Sequence, residues 1–178
     1  MAVGKRGAEP EERTIEIRHA SMNIDADFES FTRNLEKSLF RFDESLQMDM
    51  ENAPARGKER LEKAAQGENL MLFHIYDHGK ILNTVGAPRK ARQYVVGNPL
   101  VAARMTQHDI RAGLYAPLRI LVYEADDYAT RVEYDLPSSL FGQFDNPEVT
   151  TVARSLDAKL ASLIEKAGLA TKEAKIFP

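Results

Sequence analysis

His74, Asp77 and His78 form the densest group of side chains able to bind a metal or move a proton. On a helix, His-x3-His puts two imidazoles one turn apart on the same face, the spacing of a zinc site. Here His74 sits inside an apolar, strand-like run, LMLFHIY at 70–76. Along a strand at roughly 3.3 Å per residue, the two rings stand about 13 Å apart, too far to share an ion. Only a bulge, or a helix starting abruptly after Tyr76, would bring them together. No metal site is therefore assigned, and His74 reads as a half-buried, satisfied histidine. Asp77 and His78 are the more promising pair, because a carboxylate beside an imidazole orients the ring and raises its basicity. Neighbouring strand residues point to opposite faces, so a turn at Asp77-His78-Gly79 would have to make them converge. The plainer reading of the three residues is that turn alone.

Gly97-Asn98-Pro99 has the composition of a strand end followed by a helix start, with Asn98 as N-cap and Pro99 as the first helical residue. Free N–H groups at such a terminus bind phosphate or carboxylate, aided by the helix dipole. The favoured reading is a cap, with Gly97 relieving a tight turn. Lys80, Arg89, Lys90 and Arg92 could neutralise an anion, although no interleaved aromatics suggest stacked bases. Tyr134 could donate a hydrogen bond into a pocket, or serve as a core tyrosine with its hydroxyl at the edge. Glu124, Asp126 and Asp127 lack the ligand rhythm of an EF-hand and read as a solvated turn. Ser138-Ser139 lies in no Gly-x-Ser-x-Gly elbow, and the sequence has neither a Walker loop nor a Rossmann glycine fingerprint.

These residues must be positioned by periodic segments. Residues 1–12 are rich in Gly, Pro and charge and are expected to be a disordered tail. From Arg13 to Ala20 apolar and polar residues alternate, which predicts a half-buried first strand. Asp25 or Asp27 can cap a following helix whose Phe28, Phe31, Leu35 and Leu39 make one apolar stripe. Residues 43–57 read as irregular, and Lys58 to Gln66 as a short exposed helix. Strands are predicted at Leu70–Tyr76, covered on both sides, and at Arg92–Val96. Two more follow, Pro117–Glu124 and Thr130–Leu136, joined by the acidic turn 125–128. Asn146 caps and Pro147 opens a last long helix, striped by Val149, Val152, Leu156, Leu160 and Ile164, with Gly168 expected just past its end. His108-Asp109 reads as a surface motif behind a helix end. Strands in hairpin-like order with two long helices apart from them predict an α+β fold, β-α-β4-α, with a mainly antiparallel sheet. One domain is expected over residues 13–168, with 169–178 as a C-terminal tail.

The chain has 178 residues, 24 Lys+Arg against 27 Asp+Glu and no cysteine. A formal charge of −3 gives no drive towards nucleic acid or anionic membranes. The lack of cysteine excludes disulfides, thiolate metal sites and thiol nucleophiles. No apolar run approaches the roughly 18 residues of a membrane span, and the start lacks a signal-peptide core, so a cytoplasmic location is expected.

Four short pieces occur in a characteristic order. Asp77-His78 follows an apolar strand, and a second strand ends in Gly97-Asn98-Pro99. Pro117-Leu118 opens a third strand, and Tyr134-Asp135-Leu136-Pro137 completes the set. Together they resemble the bacterial domain-of-unknown-function family 302, whose Tyr-x-x-Pro the last piece matches. The resemblance implies a β-α-β4-α domain akin in outline to the TATA-binding-protein architecture, and a homodimer. It implies no reaction. Residues 39–67 are longer and more charged than the family pattern.

Three functional expectations follow. The leading one is a non-catalytic homodimeric module that binds a small organic or anionic ligand, without a cofactor, through Asp77, His78, Gly97, Asn98 and Tyr134. It rests on the apolar residues carried by both faces of Pro117–Glu124, which two helices alone cannot cover. The second is a structural or interaction protein whose free sheet face makes only a dimer contact. The third is an enzyme with His78 as general base, Asp77 orienting it, and Asn98 and Tyr134 holding substrate, which requires all four to converge.

Overall fold

The computed structural model describes residues 11–66 and 69–176. Most of the tail expected at the N-terminus, residues 1–10, lies outside them. The first strand, β1 (His19–Ile24), begins six residues later than the alternation at Arg13 suggested. That alternation continues through HASMNI, so period alone could not fix the strand. Pairing with the last strand does, matching His19 to Asp135 and Ile24 to Thr130.

Asp27 caps α1 (Phe28–Lys37) by accepting the Ser30 N–H at 2.9 Å. Its stripe of Phe28, Phe31 and Leu35 is fully buried, each such side chain contributing roughly 2 kcal/mol of apolar burial before entropy is counted. A two-residue strand, β2 (Phe40–Arg41), follows. The stretch read as irregular contains α2 (Glu44–Asn52), capped by Asp43, and the first turn of α3 (Pro54–Ala64), which otherwise coincides with the helix expected from Lys58. Only Leu46 of α2 is buried, so an apolar stripe long enough to announce the helix is missing. The two helices enclose a small satellite core of Leu46, Leu61, Ala65 and Met71.

Next come β3 (Met71–Asp77), α4 (His78–Thr84), β4 (Ala91–Gly97) and α5 (Pro99–Thr106). A 3₁₀ segment, Ile110–Tyr115, is capped by Asp109, which gives the His108-Asp109 pair its place. β5 (Leu118–Glu124) and β6 (Thr130–Asp135) are joined by the predicted acidic turn, and the short α6 (Pro137–Gly142) follows. Asn146 accepts the N–H groups of Glu148 and Val149 and so opens α7 (Pro147–Ile176). The helix does not stop at Gly168. It continues to Ile176, and Gly168 lies where an added Cβ would stand 4.0 Å from Ile24 Cγ2.

The sheet order is β1-β6-β5-β4-β3-β2, antiparallel throughout except for the parallel β2–β3 pair. The fold is α+β, as predicted. One face bears Tyr94 and Val96, Leu118, Ile120 and Val122, and Val132 and Tyr134, all buried in the main core with α1, α5, α6 and α7. On the other face no helix of the described residues seals β4–β6. There Val95, Leu121, Tyr123 and Glu133 are half-buried, and His19, His74, Tyr76 and Arg119 are exposed. β3 is therefore covered on both sides only at its start, where Met71 lies in the satellite core and Leu72 in the main one, and from His74 onward one face is open, contrary to the expectation for the whole strand. His74 is an exposed residue whose ring leans on Tyr76, with centroids 4.3 Å apart.

Candidate functional site

Asp77 ends β3 and caps α4. Its Oδ1 accepts the Lys80 N–H at 3.0 Å, while Oδ2 lies 3.8 Å from Lys80 Nζ and 3.9 Å from Arg92 Nε. The carboxylate thus faces the helix layer. His78, the first residue of α4, is exposed on the surface and makes no hydrogen bond with Asp77 among the described contacts. The expected turn is in fact this abrupt helix start, and the Asp-His pair is not assembled. Gly79 is required there, since a Cβ would stand 2.4 Å from Arg89 O.

The basic cluster is internally neutralised. Arg89 meets Asp126 at 2.7 Å, Lys90 meets Glu124 at 2.8 Å, and Lys80 approaches Asp77. Arg92 is half-buried over the Phe28 ring, donates to Thr32 Oγ1 at 2.9 Å and lies 3.3 Å from Glu29 and 3.6 Å from Glu36. Beside it the buried Tyr94 donates to Glu36 Oε1 at 2.9 Å. Burial, followed by the charge of Glu36, holds that phenol well above the ordinary tyrosine range. This cluster pins α1 to the sheet and offers no vacant counter-charge.

Asn98 is buried and caps α5. Its Oδ1 accepts the N–H groups of Leu100 at 2.9 Å and Val101 at 3.3 Å, and its Nδ2 donates to Asn69 O at 3.0 Å. Pro99 has no N–H, and Ala102 N–H bonds to Asn98 O. The backbone N–H groups of residues 99–102 are thus accounted for, and the cap reading holds. Beside the cap lies a half-open pocket of about 170 Å³, lined by Phe73, Val101, Met105, Pro117, Phe141 and Leu156 together with the buried Gly97 and Asn98.

Tyr134 is buried on the helix face of β6, its phenol raised by burial and by the charge of Asp157. It is a core tyrosine. In the β3–β4 ladder Asp77 pairs with Arg92 at one end and Met71 with Gly97 at the other, a separation of roughly 20 Å. Tyr134 lies three strand spacings from β3, roughly 14 Å. Asp77, His78, Asn98 and Tyr134 do not converge, and the joint enzyme site that needed them together is not formed. Among the described residues, no group of three or more His, Cys, Asp or Glu is placed to hold a metal ion.

The family model for the domain of unknown function DUF302 matches residues 47–167, more than half of the chain. The chain belongs to this family. A crystal structure of an uncharacterized conserved DUF302 protein from Bacillus stearothermophilus is similar to it, with a TM-score of 0.61 and 17% identity. The match covers 84% of this chain and 97% of that one. At that identity the likeness establishes the fold. No curated protein matches the chain.

In this DUF302 chain two of the four motif pieces meet in space. Gly97-Asn98-Pro99 and Pro117-Leu118, distant in sequence, both line the apolar pocket. The Asp77-His78 piece instead starts α4, and Tyr134-x-x-Pro137 joins the core to α6. A further cluster escaped the sequence reading. On the uncovered face His19 Nδ1 lies 2.8 Å from Asp135 Oδ1 and Nε2 lies 3.4 Å from Glu133 Oε2. Glu133 also accepts from Tyr123 at 2.7 Å, and this hydrogen bond lowers its carboxyl against the opposing effect of partial burial. The alternation in TRVEYDL already put Arg131, Glu133 and Asp135 on one face, but nothing local pointed to His19, 116 residues away. No helix of the described residues is long and apolar enough to cross a membrane.

Proposed function

We propose that this DUF302 protein is a non-catalytic, homodimeric module that holds a small organic ligand. One observation carries the reading: two separate family motif pieces, at Gly97–Pro99 and at Pro117–Leu118, wall a single preformed pocket. A preformed apolar concavity with a few fixed polar groups is the usual setting for a small ligand. A reaction finds less support, because the acid–base candidates are scattered and Asp77 is committed to capping α4. The dimer would form through the uncovered sheet face. That face carries both signs of charge, Glu133 and Asp135 beside Arg119 and Arg131, around half-buried Leu121 and Tyr123. Such a surface is complementary to a second copy and poorly matched to a polyanion or an anionic membrane.

Native mass spectrometry of protein purified gently and without added ligand tests both parts. A dimer carrying extra non-covalent mass supports the reading. A dimer at the bare chain mass points to the alternative of a purely structural contact, and a bare monomer overturns the dimeric module. Leu121→Lys, which places a charge in the middle of the proposed contact, is expected to yield monomers that remain folded.

A further inference from the structure

Resting on that reading, we infer that the pocket beside Asn98 takes a neutral, apolar molecule of about one six-membered ring, and rejects anions. Anion capture was an open expectation for this helix start, and the local chemistry decides against it. The N–H groups of Leu100 and Val101 are consumed by Asn98 Oδ1, that of Ala102 by Asn98 O, and Pro99 has none. Asn98 Nδ2 donates one N–H to Asn69 O. Of the side chains on the pocket wall, none is charged and only that of Asn98 is polar. A carboxylate or phosphate entering here would lose its hydration and meet no charged partner, a cost that an apolar molecule avoids.

Size follows from the volume. A cavity of about 150 Å³ lined by apolar side chains accommodates benzene, and this pocket is slightly larger, at about 170 Å³. Phe73 and Phe141 offer ring faces and edges to an aromatic guest, and Met105, unbranched and polarisable, can adjust to its outline. Gly97 leaves room between its neighbours in the wall. A Cβ there would lie 3.3 Å from Pro117 Cβ and 3.4 Å from Phe73 Cε2, crowding both wall residues. A longer substituent would have to leave through the open side.

Benzene, indole and benzoate serve as probes, titrated into the full chain with saturation-transfer and chemical-shift NMR as the readout. Benzene and indole should bind, and benzoate, the anionic counterpart of a single ring, should bind at least about 100-fold more weakly. Ala102→Leu, which extends a half-buried wall residue into the space, should abolish neutral-probe binding. Gly97→Ala should weaken it about tenfold or more. A circular-dichroism melt confirms that each variant is folded, and either one that folds is sufficient for the test. Benzoate binding as tightly as benzene, or neutral-probe binding undiminished in a folded variant, overturns the inference. An endogenous ligand found in native mass spectra that proves to be anionic would also overturn it, while leaving the binding module intact. Failure of all three probes together with a bare chain mass would remove the module itself.

Discussion

His19 Nδ1 lies 2.8 Å from Asp135 Oδ1, joining the edge strand β1 to the end of β6. This hydrogen bond is the largest influence on the ring and, despite opposition from slight desolvation and with help from Glu133, raises its pKa above the ordinary imidazole value. A group whose folded pKa exceeds its unfolded one stabilises the fold while it is protonated in both states. The contribution is thus complete below about pH 6.5 and disappears as pH rises through the raised folded value. Because the histidine is half exposed, solvent screening limits the effect to about 0.5 kcal/mol or less. Melting His19→Gln beside the native chain from pH 5.5 to 8.5 should show the largest difference at the acid end, closing towards pH 8.5. A difference that stays level across the range would remove the pairing from the account of stability.

Arg92 is the member of the α1 anchor whose loss should be felt most. Its guanidinium satisfies Thr32 Oγ1 and stands among Glu29, Glu36 and Asp77 over the Phe28 ring. Arg92→Met keeps much of the stem packing but leaves three carboxylates without their shared cation, at a cost of about 2–3 kcal/mol. Tyr94→Phe removes one hydrogen bond to Glu36 and should cost about 1 kcal/mol. Arg92→Lys should recover less than half of the loss, since an ammonium cannot span the same partners. Urea unfolding at neutral pH measures all three, and equal stability of the Lys and Arg forms would contradict a role for the planar fork.

Much of this architecture is written locally, and the exceptions share a cause. The stripe of Phe28, Phe31 and Leu35, the caps at Asp27, Asn98 and Asn146, and the strands β3 to β6 were legible to within a residue or two, because burial period and cap chemistry are local signals. β1 was displaced because the alternation begins before the pairing does, and register against β6 is a tertiary fact. α2 and α4 bury only Leu46 and Gly79 respectively, so neither shows a stripe. At the candidate sites, residue type was readable but convergence was not. Asp77 and His78 gave a plausible dyad until the helix start pointed them apart. The pocket formed by Gly97 and Pro117, and the His19–Asp135 bond, depend on strand order that no local pattern carries.

The Asp77-His78-Gly79 piece offers a direct contrast between chemistry and architecture. If its value is structural, His78→Ala should change stability by no more than about 0.5 kcal/mol, as for an exposed surface position. Asp77→Ala loses the α4 cap and its approach to Arg92, about 1 kcal/mol. Gly79→Ala must displace the Arg89 carbonyl and should cost about 1–3 kcal/mol. Chemical denaturation of the three variants supplies the ranking. A His78→Ala loss as large as that of Gly79→Ala would assign the histidine a structural role that its exposure gives no reason to expect.

Asn98 performs two tasks that a substitution series can separate. Its Oδ1 closes the start of α5, and its Nδ2 ties that helix to Asn69 O in the segment entering β3. Serine can accept from the helix N–H groups but is too short to reach Asn69, whereas alanine can do neither. Asn98→Ala should therefore cost about 1–2 kcal/mol, combining a lost cap with a lost hydrogen bond to the carbonyl of the exposed Asn69, and Asn98→Ser roughly half of that. The same pair of variants bears on the pocket. In Asn98→Ala the Leu100 and Val101 N–H groups are released beside the pocket and the helix terminus becomes a donor for anions. Benzoate, excluded by the native chain, should then gain affinity while benzene does not, and Asn98→Ser should remain close to native. Benzoate affinity equal in the two variants would show that the asparagine cap is not what excludes anions from this pocket.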